Sequence, residues 1–479
     1  MNYSIVFYII GWILNFEAAF MVLPTVVALI YRESEVWCFL TTMAVCLMVG
    51  MLLVRRKPKN QIFYVAESFV AVSLSWVLLS VMGAVPFVLS GYIPNPIDAL
   101  FETVSGFTTT GASILSNVEQ LPKCLLFWRS FTHWIGGMGV LVFLLTLIPL
   151  AGGSHMNLMK AESPGPSVTR LVPKVKSTAK ILYMIYMVLT IIEIFLLLFG
   201  GMPLFDSITL SLGTAGTGGF GIKNDSIAGY STYCQVIITI FMILFGINFN
   251  AYFLILIRKF RQAWESEEVR AYLLIIAAAT LAITFNVRGY FSSFAQAFQQ
   301  TIFQVASIIT TTGYATTNFD LWPEFSRTIL VLLMFVGACA GSTGGGIKVS
   351  RFLIMLKTVK KELIQLLHPR SVRRIQIDGK AIEHEVVRST NVYMGVYLFI
   401  FAFSMLLIAL NNFDLITNFT AVAATLNNIG PGLSLVGPSG NFSMFSDFSK
   451  LVLIFDMLAG RLELFPLLLL FVPNTWRRF

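Results

Sequence analysis

Pro96–Ser113, PIDALFETVSGFTTTGAS, sets a pattern from which the rest of the chain can be read. Three further stretches repeat it: Leu204–Gly221, LFDSITLSLGTAGTGGFG; Ala297–Ala315, AFQQTIFQVASIITTTGYA; and Asn418–Gly432, NFTAVAATLNNIGPG. In each, a half-apolar segment of helical length runs into a glycine, at Gly111, Gly219, Gly313 and Gly430. Asp98 and Asp206 each stand 13 residues before their glycine, and Gly219 and Gly313 are each followed by an aromatic, Phe220 and Tyr314. The glycines lie 108, 94 and 117 residues apart, a period that points to one structural unit copied four times.

Between these stretches the chain is too apolar for a soluble protein. Of 479 residues, 56% are hydrophobic and 12% charged, with a mean hydropathy of +0.79; soluble domains carry about 25% charged residues. Ten apolar runs are candidate bilayer spans: Ile5–Ile30, Val36–Val54, Ile62–Leu89, Leu125–Leu150, Ile181–Gly200, Val236–Ile257, Ala271–Phe285, Thr328–Met355, Val392–Leu410 and Leu451–Val472. The first run begins without a basic leader and is too long for a signal peptide, so it reads as a retained span.

The net charge of +9 has a use other than nucleic-acid binding. Of 33 Lys and Arg residues, 24 fall in five places: 55–59, 160–180, 258–270, 351–388 and 477–478. These alternate with the spans so that all five lie on one side, which the positive-inside rule makes cytoplasmic, together with both termini. The four glycine-containing stretches then all enter from outside. Non-helical backbone at membrane depth is tolerated where it is buried in protein or lines a water-filled cavity. Four short helices followed by glycine-bearing extended segments would arrange backbone carbonyls around a common axis, as in filters that replace the hydration shell of a cation.

The motifs FTTTGA, TTTGYATT, GACAGSTGGGIK, AATLNNIGPGL and AGRLELF resemble those of TrkH-type subunits of the bacterial Trk/Ktr/HKT superfamily of potassium transporters, over nearly the whole chain. The resemblance implies an all-α multi-span membrane protein with four span/pore-helix/span repeats around an ion pore, preceded by two extra helices. The corresponding division is 1–59 for the extra pair, then repeats at 60–179, 180–269, 270–387 and 388–479. It implies potassium as the transported ion, lined by Thr109, Thr110 and Gly111; Thr217, Gly218 and Gly219; Thr311, Thr312 and Gly313; and Asn428, Ile429 and Gly430. The second and fourth sets depart from the threonine pattern. The resemblance further implies location in the bacterial inner membrane, a homodimer, and a separate TrkA-like RCK nucleotide-binding subunit docked on the cytoplasmic face.

Two features would lie below that ring. Gly337–Lys348, GACAGSTGGGIK, places Gly337, Gly341, Gly344, Gly345 and Gly346 within ten residues and ends on Lys348. Each glycine costs a helix about 1 kcal/mol relative to alanine, so the stretch should break its span; the resemblance makes it a gating intramembrane loop, and close glycine packing is the alternative. Arg461 lies in the last apolar run, where a guanidinium should face water, the bundle interior or a partner. It reads as a barrier to cations in concert with the loop, or as one half of an ion pair with Asp456 or Glu463.

Other signals carry less. Gly216, Gly218 and Gly221 match GxGxxG without a surrounding strand, and Gly341–Lys348 lacks the GK pair of a phosphate loop. The five cysteines form no metal-like spacing, and the four histidines read as surface or interfacial groups. Asp98 and Asp206 read as helix caps. No nucleophile/base pair or metal cluster suggests an enzyme. Glu67 and Glu193, inside apolar runs, read first as inter-helix hydrogen-bonding groups, and as proton or sodium sites they leave a sodium- or proton-coupled transporter open beside a channel-like one. The basic segment 351–388 reads as a contact for anionic lipid.

Overall fold

The computed structural model describes residues 1–58, 65–139, 175–370 and 374–476. Nearly all regular structure is helical; a two-stranded hairpin, β1 (Gln376–Ile377) with β2 (Lys380–Ala381), is the only sheet among the described residues.

Helices α1 (Tyr3–Tyr31) and α2 (Val36–Val54) form a hairpin whose crossing depends on two glycines. A Cβ on Gly11 would stand 2.9 Å from the Gly50 carbonyl oxygen, and one on Gly50 would stand 2.8 Å from that of Gly11. Small residues let backbones approach in this way inside a membrane. The turn between them carries Glu33, whose carboxylate accepts from the amides of Lys123 (2.6 Å) and Cys124 (2.9 Å). It thereby satisfies the open N-terminal amides of α5 (Lys123–Gly137) and fastens the hairpin to the next unit.

Four units follow. The first contains α3 (Val65–Leu89), α4 (Pro96–Phe107) and α5; the second α6 (Val175–Phe199), α7 (Leu204–Ala215), α8 (Thr232–Phe245) and α9 (Phe249–Leu256), followed by the short α10 (Phe260–Trp264). The third contains α11 (Glu267–Val287), α12 (Phe294–Ile309), α13 (Glu324–Phe335) and α14 (Val349–Leu367). The fourth contains α15 (His384–Ile408), α16 (Leu415–Leu426), α17 (Asp447–Arg461) and α18 (Phe465–Leu468). Each contains one short helix after its first long one: α4, α7 and α16 have 12 residues and α12 has 16. At 1.5 Å per residue they reach roughly 18–24 Å, short of the ~30 Å hydrocarbon core.

The short helices also knit the units into a circle. Besides its own flanking helices, α7 packs on α5, α12 on α8, α16 on α13, and α4 on α17, so each unit is seated against the one before it and the first against the last.

The apolar runs are less continuous than their hydropathy suggests. Six described helices are long and apolar enough to cross a membrane: α1, α2, α3, α6, α11 and α15. The run Val236–Ile257 is not one span, because α8 and α9 meet at 91°. The bend falls where Gly246 ends α8 and the Asn248 side chain accepts the Asn250 amide (2.9 Å) to start α9. The run Thr328–Met355 divides into α13 and α14 around the glycine loop. The run Leu451–Val472 also divides: α17 stops at Arg461, and Glu463 and Leu464 follow with φ of 56° and 67°. Of Leu125–Leu150, α5 covers the beginning; the portion from 140 onward lies outside the described residues.

Candidate functional site

Each short helix runs into a glycine-bearing segment, and three of the four are started by a side-chain cap, α7 following Pro203 without one. Asn95 accepts the Ile97 amide (2.9 Å) just before Pro96, Ser293 accepts that of Gln296 (3.2 Å), and Asp414 accepts that of Thr417 (3.0 Å). Asp98 and Asp206 are not caps: Asp98 pairs with Lys450 (2.5 Å), and Asp206 accepts the Tyr230 hydroxyl (2.8 Å). Asp98 therefore joins α4 to α17, and Asp206 holds the connection that leads into α8.

Beyond the short helices the backbone repeats one irregular conformation four times. Thr109, Thr217, Thr311 and Asn428 have φ between 52° and 59°, and two residues later Gly111, Gly219, Gly313 and Gly430 have φ between 80° and 101°. Few non-glycine residues enter this region. The glycines are required for a second reason. The place a Cβ would take on Gly111 is filled by the carbonyl oxygen of Gly218, on Gly219 by that of Thr312, on Gly313 by that of Ile429, and on Gly430 by that of Thr110. Every segment thus hands its glycine to the carbonyl of the next, and the fourth hands back to the first. All four glycines line one recess of about 100 Å³.

Threonine hydroxyls support the ring in alternate units. Thr108 and Thr110 share a hydrogen bond of 2.8 Å, and Thr310 and Thr312 one of 2.7 Å. In the second unit Gly218 replaces the second threonine because the ring of His133, from α5, fills the space a side chain would need. His133 is fully buried, with Nδ1 2.7 Å from the Gly106 carbonyl and Nε2 accepting the Phe220 amide at 3.3 Å. This corrects the reading of His133 as a surface or interfacial group; it joins the first unit to the second. In the fourth unit Asn428 donates to Thr110 Oγ1 (3.0 Å) and to the Met457 carbonyl (2.9 Å). The Thr109 hydroxyl and the Asn428 amide oxygen are buried without a protein partner.

Glycine-rich loop residues lie directly against this ring. The Gly345 amide donates to Thr311 Oγ1 (2.6 Å), and a Cβ on Gly345 would stand 2.8 Å from the Asn427 carbonyl oxygen. The loop is pinned at its base, where Gly337 donates to the Ile347 carbonyl (2.7 Å), and along its length, where Cys339 donates to Gly246 (3.1 Å) and Phe249 to Gly341 (3.0 Å). The bend between α8 and α9 is what makes room for these contacts. Lys348 is buried and donates to the carbonyls of Gly344 and Gly345.

On the far side of the loop lies a cavity of about 500 Å³ lined by Gly341, Gly344, Gly345, Gly346, Lys348 and Arg461, together with Trp76, Arg351 and Tyr393. Gly337 alone among the candidate gate residues stays behind, at the loop base. Arg461 occupies the C-terminal end of α17, where partial negative charge favours a cation. It donates to Thr343 (2.9 Å) in the loop and to Gly136 and Gly137 (3.1 Å) at the end of α5. The two neighbouring acids are engaged elsewhere: Glu463 binds Arg351, and Asp456 accepts from Ser404 (2.7 Å). Neither Glu67 nor Glu193 lines the recess or the cavity.

Three comparisons place this architecture among known proteins. The family of TrkH cation transport proteins matches residues 36–478. The Trk system potassium uptake protein TrkH of Salmonella typhimurium is 37% identical over the full length of both chains, and the TrkG protein of Escherichia coli is 33% identical over 99% of this chain and 98% of its own. The crystal structure of the potassium transporter TrkH from Vibrio parahaemolyticus superposes over the whole of both chains with a TM-score of 0.88 at 34% identity. With the same helical frame and a sequence match running end to end, this chain belongs to the TrkH family of cation transport proteins.

Proposed function

We propose that the chain conducts potassium into the cell through the ring at Gly111, Gly219, Gly313 and Gly430. The observation that carries this reading is the closed circuit in which each glycine abuts the preceding carbonyl of the next unit. A cation entering the recess would exchange water for the carbonyls of Thr109–Thr110, Thr217–Gly218, Thr311–Thr312 and Asn428–Ile429, as in other carbonyl filters. Four short helices end at this level and add the partial negative charge of their C-termini. Passage then leads into the cavity beneath, where the Gly337–Lys348 loop blocks the path and the charge of Arg461 opposes an isolated cation.

The basic loops put the cavity side in the cytoplasm. Lys360, Arg370, Arg374 and Lys380 are exposed there, a surface suited to anionic lipid and to an RCK subunit whose nucleotide state would set the loop. By family resemblance the unit is a homodimer with one pore in each protomer, in the bacterial inner membrane.

Ion flux through the purified protein in liposomes tests the reading. A current reversing at the potassium equilibrium potential, unmoved by sodium or pH, is expected. A reversal potential that follows the sodium or proton gradient would replace the channel by a coupled transporter, and absence of potassium flux with and without the RCK partner would overturn both.

A further inference from the structure

Glu268 stands in the first turn of α11, outside every element that forms the ring, yet it touches both the loop and the first turn of α14 that follows it. One carboxylate oxygen, Oε1, accepts the amide of Ala340 (2.7 Å) and the amide of Ser350 (3.1 Å). The nine residues between these two contain Gly341, Gly344, Gly345, Gly346 and Lys348. Glu268 is buried, so loss of the acceptor would strand two amides in a place water reaches poorly. Its neighbour Glu267 faces the other way, to the β-hairpin: the Glu267 amide donates to Asp378 (2.7 Å), the Asp378 amide donates back to Glu267 (3.2 Å), and Lys357 bridges Glu267 to the Gln376 carbonyl (2.6 Å).

From this geometry we infer that Glu268 is a positioning residue that holds the intramembrane loop closed, and that the hairpin Gln376–Ala381 governs it through Glu267. The assignment rests on reading the loop as the gate. Two adjacent residues on one helix start serve two partners, the loop inside the membrane and the hairpin outside it. A displacement of the hairpin therefore pulls on the residue that ties the loop at Ala340 to the start of α14 at Ser350.

Cys339, next to the clamp and fully buried, supplies a readout independent of transport. Maleimide labelling of the purified full-length protein, followed by mass spectrometry at each cysteine, measures loop opening at Cys339. Buried Cys46, Cys124 and Cys234 report general loosening. Glu268→Ala should raise Cys339 labelling about tenfold while leaving the other three unchanged. Glu268→Gln, which retains the single oxygen both amides use, should label as the native protein does. Asp378→Ala should raise Cys339 labelling on its own and add nothing in the Glu268→Ala background.

Unchanged Cys339 labelling in Glu268→Ala, or equal rises at all four cysteines, would overturn the clamp. Glu268→Gln behaving like alanine would mean that charge, not the shared hydrogen bonds, is what matters. Additive effects of Asp378→Ala and Glu268→Ala would break the link to the hairpin. Labelling needs no ion flux, so a protein that conducts nothing would sink the transport reading and leave these outcomes to judge Glu268.

Discussion

Arg129 and Glu102 form an ion pair at 2.6 Å that is closed to solvent on both sides, with side chains 2% and 0% exposed. Glu102 also accepts from the Ser113 hydroxyl (2.9 Å) and the Ile114 amide (3.0 Å), just past Gly111. Arg129 donates to the Gly221 carbonyl (3.2 Å) and lies 4.0 Å from the Phe220 ring centre, just past Gly219. The pair thus braces two neighbouring segments of the ring from behind. Removing one partner of a buried pair costs about 3–5 kcal/mol because the other charge is left uncompensated. Arg129→Ala should lower the thermal unfolding midpoint sharply in detergent and, in liposomes, raise sodium flux relative to potassium.

Substitution of a ring glycine should act across units. In Gly313→Ala the new methyl would meet the Ile429 carbonyl, which belongs to the fourth unit, and φ of 88° disfavours any side chain. Potassium flux should fall and the potassium-to-sodium ratio with it, measured by flux under paired gradients. Retention of native selectivity would mean that this carbonyl is not part of the ion path.

Gly218 and His133 should be energetically coupled. Gly218→Thr restores the threonine of the first and third units but collides with the imidazole. His133→Ala opens that space at the cost of two hydrogen bonds, each worth about 1 kcal/mol. In a double-mutant cycle on thermal stability, the two changes together should be less harmful than their sum, by an interaction energy of roughly 0.5–3 kcal/mol.

Arg461→Ala removes hydrogen bonds to the loop at Thr343 and to the end of α5 at Gly136 and Gly137. Potassium flux without the RCK partner should rise, because both the fixed charge and the tie on the loop are lost. Deleting 340–346 should give a still leakier pore. Unchanged flux with lowered stability would assign Arg461 a purely structural role.

The parts of this architecture that sequence discloses are those in which backbone conformation dictates residue type. Gly111, Gly219, Gly313 and Gly430 are visible because a left-handed backbone packed against a carbonyl admits almost nothing else. The short helices are visible because polar and apolar residues alternate along them within a chain that is otherwise uniformly apolar. The 91° bend is harder to see: Phe245–Asn248 sits in a run whose hydropathy is continuous, and a single glycine does not announce a break. Gly246 as a helix stop followed by Asn248 as a helix start was the available signal. The end of α17 at Arg461 is hidden in the same way, since apart from Glu463 the stretch Leu462–Leu470 is apolar. His133 and Glu268 owe their importance to partners 87 and 72 residues away, Phe220 and Ala340, and no local spacing encodes such a meeting.

The ring closes between Asn428 and Thr110, 318 residues apart. As the chain emerges from the ribosome, the first segment must therefore wait until the last unit has been inserted before its carbonyl finds the glycine it will abut. A protein ending after the third unit would carry three quarters of an aperture, with an unpaired edge at each side. If the ring is the ion path proposed above, permeability would arise only with the final hundred residues, and incomplete chains in the membrane would lack a finished hole through which the cell's ion gradients could drain.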